Sequence, residues 1–219
     1  MNTRNLSTIL LLFLCFSLTA QDEGTKSTSS DIKLNLGATF TKYKFNDSGE
    51  EVEYKSQIGF RLGADKELWS KDRFNLEAGA SFSLIRTKID EPAVTYNTWY
   101  LGINVMPGYE ILEDKLVLGV GPFLDYGLFG TQKFEGGESF DLFVGEDGND
   151  PPLNRLNYGV DFRLLGNLPI SSLNMQAYVS YRLGLPNIEG ADSDNDQSTK
   201  VGTLIIGVRA NLHELFGKK

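Results

Sequence analysis

Phe74-Asn75-Leu76-Glu77-Ala78-Gly79-Ala80-Ser81-Phe82-Ser83-Leu84 decides the fold. Phe74, Leu76, Ala78, Ala80, Phe82 and Leu84 are apolar, and every residue between them is polar or glycine. Side chains alternate faces along a strand, so this period of two describes a strand with one apolar and one polar face. Seven other stretches repeat the pattern: residues 32–40, 57–65, 98–105, 115–127, 155–164, 174–183 and 203–212. Ile205 interrupts it in the last. Helical periodicity is almost absent, so the chain reads as all-β with eight strands.

The polar face tells where the apolar one points. Twelve glycines of these runs, Gly202 among them, are assigned to it. So are Arg61, Asp65, Glu77, Asp125, Asp161, Arg163, Arg182 and Arg209, four cations and four acids. Small residues and paired charges suit a narrow, polar lumen, where bulky side chains would collide. The apolar face then turns outward to lipid, as in a transmembrane barrel of the outer-membrane type. A soluble, lipocalin-type barrel is the structural rival, and it would reverse the two faces.

The flanking segments agree. Residues 1–20 hold Arg4, an apolar run from Ile9 to Leu18 and a small residue, Ala20, before Gln21. This is the plan of a secretory signal peptide, cleaved near Ala20, and the run is too short for a membrane span of ~20 residues. Cys15, the sole cysteine, lies inside it, and Leu14 before it is too large for a lipoprotein cleavage site. Residues 21–31 read as an N-terminal periplasmic segment and 32–216 as the barrel domain. Connections alternate long and short, as external loops and periplasmic turns do. An even strand count places both chain ends on the periplasmic side.

Chain-wide composition removes several functions. The 219 residues carry 21 Lys and Arg against 29 Asp and Glu, a formal charge of -8, which argues against a nucleic-acid partner. One Cys and one His exclude disulfide frameworks and multi-histidine metal centres. The four long connections, 46–53, 89–95, 135–154 and 186–197, hold sixteen acids and no Lys or Arg. Asp192, Asp194 and Asp196 resemble the start of a calcium loop, but Gln197 stands where glycine and Thr203 where glutamate is needed. The pattern fails as an EF-hand and leaves a weak loop-borne divalent site beside the plainer reading of a solvated acidic loop. The acidic face suits loop repulsion, divalent bridging to anionic lipid headgroups or capture of a cationic partner.

Three stretches and the order of the chain's parts resemble the PorT-like outer-membrane β-barrel family. Tyr181-Arg182-Leu183-Gly184-Leu185-Pro186-Asn187-Ile188 resembles that family's segment after the seventh strand. Gly121-Pro122-Phe123-Leu124-Asp125-Tyr126-Gly127 resembles its fifth strand, and Tyr100-Leu101-Gly102-Ile103 its fourth. The order of signal peptide, barrel and chain end is the fourth point of similarity. The resemblance implies residence in the outer membrane of a Gram-negative cell, contact with its lipid, and no shared catalytic residues or cofactor. Some members are thought to serve a secretion system, which makes protein partners of a secretion or assembly machine an expectation. The sequence alone supports a structural or interaction protein displaying acidic loops, an accessory subunit of such a machine, or a surface adhesin or ligand-binding barrel. Catalysis is not expected, because the one imidazole, His213, falls near the chain end on the periplasmic side. A wide diffusion pore is not expected either, since eight strands leave an interior just filled by side chains.

Overall fold

The computed structural model describes residues 32–46, 54–90, 93–113, 115–137, 139–144, 153–169, 174–186 and 198–216. The expected signal peptide and periplasmic segment lie outside the described residues, as do Asp192, Asp194, Asp196 and most of the acidic loop positions.

Among the described residues nine strands follow one another: β1 Ile32–Asn46, β2 Tyr54–Lys71, β3 Phe74–Ile89, β4 Val94–Leu112, β5 Leu116–Phe134, β6 Ser139–Asp141, β7 Leu156–Asn167, β8 Met175–Gly184 and β9 Ser198–Asn211. Each of β1 to β5 pairs antiparallel with the next, β5 passes to β7, and β9 returns to β1. Eight strands therefore close a barrel, which removes every free edge and satisfies the backbone in lipid. No helix among the described residues is long and apolar enough to cross a membrane; the strands make the crossing.

Several features differ from the sequence expectation. The strand β6 adds to the external end of β5 from within the third long connection. The last strand stops at Asn211, and Leu212–Phe216 forms a short helix, α1, carrying Leu212 and the exposed His213. Asn174 donates to the Glu214 carboxylate from its backbone N–H at 2.7 Å, which ties α1 to the start of β8. Several strands are also longer than expected; β4 and β5 reach 19 residues, beyond the ~9–11 a tilted strand needs to cross.

The alternation itself holds through the barrel. Ile58, Leu62, Leu101, Leu118, Phe162, Val179 and Ile206 are exposed on the outer face. Bulges shift the register between Gln57 and Phe60, Glu67 and Trp69, and Trp99 and Tyr100. The last of these turns Phe129 outward and Gly130 inward, reversing parity at the top of β5. It also carries Phe134 to the inward register, opposite the buried Val94. Tyr96, in line with the buried Thr87, faces inward too. Neither can serve as a lipid-interface aromatic. Gly202 corrects the glycine assignment: it pairs with Lys42 and Leu183 on the outer face, beside Tyr181.

Candidate functional site

All eight expected interior charges are buried, and seven of them form one line of contacts. Lys33, at the periplasmic start of β1, donates to Glu77 at 3.0 Å. Glu77 accepts from Arg209 at 2.7 Å. Arg209 stands 3.8 Å from Asp65, which accepts from Arg163 at 3.2 Å. Arg163 reaches Asp161 at 3.6 Å, Asp161 accepts from Arg182 at 3.1 Å, and Arg182 donates to Asp125 at 2.9 Å. Ser180 adds a hydrogen bond to Asp161 and Asn35 one to Asp65. The line joins seven of the eight barrel strands, every one but β4, so they are tied together through side chains as well as through the sheet.

Arg61 is the eighth charge and stands apart. Its guanidinium is buried, and Nη1 has no hydrogen-bond partner among the described residues. It borders a void of about 10 Å³ with Asp125, Asn157 and Arg182, room for roughly one water.

The stretches that suggested a family meet in this interior. Arg182 lies 4.6 Å over the Phe123 ring while binding Asp125. Gly102 lies directly under the Asp125 carboxylate, and a side chain there would displace it. Gly184 gives similar clearance to Asn157, and the Leu185 N–H donates to the Tyr158 carbonyl. Three segments far apart in sequence thus shape one buried cluster.

The external end is closed by residues that the alternation did not reveal. Leu142 and Phe143, after β6, are buried within the barrel. Phe143 meets Tyr100 edge-on at 6.2 Å, packs with Ile85 and lies under the Arg155 guanidinium at 5.0 Å. Arg155 also donates to the Gly127 and Leu128 carbonyls, and the Phe143 N–H to Asp141. Gly127 and Gly130 lie against the Phe143 ring, where a Cβ would collide with it. The sequence signal was slight: two adjacent apolar residues in an acidic, glycine-rich loop.

On the outer face Trp99 gathers Phe60, Phe82 and Phe129 at 5.0–5.5 Å. At the periplasmic end Phe74 and Tyr109 pair at 4.9 Å beside the exposed Trp69. Such aromatic groups mark the two edges of the lipid-facing band. Among the described residues, no group of three or more His, Cys, Asp or Glu could hold a metal ion.

No curated protein matches the sequence. Among solved structures, Neisserial surface protein A is 14% identical with a TM-score of 0.51, covering 83% of this chain and 97% of that one. Ail, the attachment invasion locus protein of Yersinia pestis, is 16% identical with a TM-score of 0.46 and the same coverage. OprG from Pseudomonas aeruginosa is 12% identical with a TM-score of 0.38, covering 84% and 96%. At these identities the first supports the fold alone, and the other two superpose more loosely. A family model matches residues 19–190, ending just before β9, the strand that closes the barrel. The chain belongs to the outer membrane protein beta-barrel domain family.

Proposed function

We propose that this outer-membrane barrel is a closed scaffold that presents acidic external loops to a partner and conducts no solute. The signal peptide brings it to the periplasm, from which it inserts with both ends inside. The observation that carries this reading is the filled interior. The ion-pair line runs up from Lys33 to Asp125, and Leu142 and Phe143 occupy the space above it. A charged interior is costly to build unless its members are paired. Seven of the eight are paired with one another, Arg61 being the exception, and the void beside it has room for roughly one water.

Planar-bilayer recording tests the closed state. The wild-type protein gives no steady conductance step, and Phe143→Gly gives none either, because the ion pairs below still fill the lumen. A stable open level from wild type would sink this reading.

The alternative of an accessory subunit in a secretion or envelope-assembly machine rests on the PorT-like segment at residues 181–188. Its Arg182 and Gly184 have structural work in the interior, which accounts for that pattern without a partner. Affinity purification from native outer membranes in mild detergent separates the two. Stoichiometric envelope proteins that survive washing favour the machine; a barrel that arrives alone favours the scaffold.

A further inference from the structure

The acidic loops leave a cationic surplus elsewhere in the chain, and much of it sits in one place. Lys42, Lys55, Arg86, Lys88, Lys133 and Lys200 all occupy the outward register at the external ends of their strands. Lys55 and Lys88 are direct cross-strand partners; Lys88 then faces Thr95, and Thr95 faces Lys133. Like charges directly opposite destabilise a sheet unless an anion lies between them. Asp90 serves Lys55 and Lys88 in this way, and the Lys55 hydrogen bond holds its carboxyl below the usual range. Glu135 and Asp141 are the other acids described at this rim, and Asp141 is engaged by the Phe143 N–H. At the periplasmic end, by contrast, Lys66, Lys71, Arg73 and Lys115 are interspersed with Asp72, Glu110 and Glu113.

The depth of the cationic collar is set by Trp99. The Arg86–Asn97 pair lies one same-face step above the Leu84–Trp99 pair, and Lys88–Thr95 one step higher. Each step rises about 5 Å along the membrane normal for a strand tilted ~40°. With the Trp99 aromatic cluster at the hydrocarbon edge, Arg86 and the lysines stand at headgroup level, facing lipid rather than the lumen.

We propose that this collar binds the phosphate groups of outer-leaflet lipid headgroups, with Lys55, Lys88 and Lys133 as its centre. The lysines bind phosphate as flexible point charges, and Arg86, oriented by its hydrogen bond to Asn97 at 3.0 Å, supplies a planar donor below them.

The test uses the full mature barrel in phosphatidylcholine nanodiscs doped with lipid A or with dephosphorylated lipid A. Native mass spectrometry counts the doped lipid that stays bound after release into detergent. Wild type retains the phosphorylated form selectively. At about fivefold per lysine near an anionic surface, Lys55→Gln/Lys88→Gln/Lys133→Gln loses on the order of a hundredfold in affinity. Lys66→Gln/Lys71→Gln/Lys115→Gln, at the other rim, retains lipid as wild type does. Lys133→Gln alone, whose side chain makes no ion pair among the described contacts, shows the fivefold loss if the triple variant does not fold. Equal retention of both lipids by wild type, or undiminished phosphate selectivity in a folded collar variant, overturns the proposal.

Discussion

Arg182→Met will destabilise the folded barrel by about 3–5 kcal/mol, the cost of removing one member of a buried ion pair. Urea unfolding in lipid vesicles, followed by tryptophan fluorescence, reads it directly. Arg182 is 4% exposed, Asp161 0% and Asp125 5%, so bulk water does not reach the carboxylates in its place. Asp161 keeps Arg163 and Ser180. Asp125 keeps no hydrogen-bond partner among the described contacts, and its charge, offset only in part by Arg61 across the small void, sets most of the cost.

Two controls separate this account from a general loss of packing. Asp125→Asn added to Arg182→Met removes that charge at nearly constant shape and should restore roughly 1–3 kcal/mol. Arg61→Met should cost less than about 1 kcal/mol, or stabilise, because a buried cation with no ion pair and an unpartnered Nη1 among the described residues gives way to an apolar group of similar length. If Arg61→Met and Arg182→Met cost the same, the ion-pair line does not organise the interior as described.

How much of this was legible follows from what a period of two can encode. Alternation locates strands and separates their faces, and it placed Arg61 and Arg182 inside without a coordinate. It says nothing about which interior residues meet, because that depends on the stagger of the closed sheet. Arg182 and Asp125 are 57 residues apart on strands that are not neighbours. A two-letter apolar and polar code also fails where the interior holds apolar side chains. Ile205 interrupts the pattern because it faces inward, against Tyr178 and Leu165, and Phe123 lies inside beneath Arg182. Both faces of a small barrel are in part apolar surroundings: lipid on one side, packed protein on the other. Leu142 and Phe143 escaped for a different reason, since residues that plug a barrel from a loop need no periodicity.

Gly159→Ala and Gly121→Ala should be among the most damaging single-methyl changes in the wall. A Cβ at Gly159 would fall on the Leu183 carbonyl oxygen, and one at Gly121 on the Val105 carbonyl oxygen, both closer than real Cβ atoms stand. These obstacles are backbone, so no rotamer change relieves them and the paired strands must part. Beside Gly121 the strands already have little to hold them. The β4–β5 ladder carries no residue pair between Asn104–Phe123 and Gly108–Gly119, where Pro107 and Pro122 lack N–H donors. Ordinary overpacking costs roughly 1–3 kcal/mol, and these two sites should reach or exceed the upper end. The internal control is Gly166→Ala in β7, where the nearest atom, the Lys115 carbonyl oxygen, stands 3.9 Å away. That added methyl meets open, lipid-facing space and should change stability by less than about 0.5 kcal/mol. Urea midpoints and the folded fraction on unheated gels compare the three. A Gly159→Ala barrel as stable as Gly166→Ala would mean that the β7–β8 seam is wider than described. The close strand approach, and with it the Arg182–Asp161 geometry built across the same seam, would then need revision.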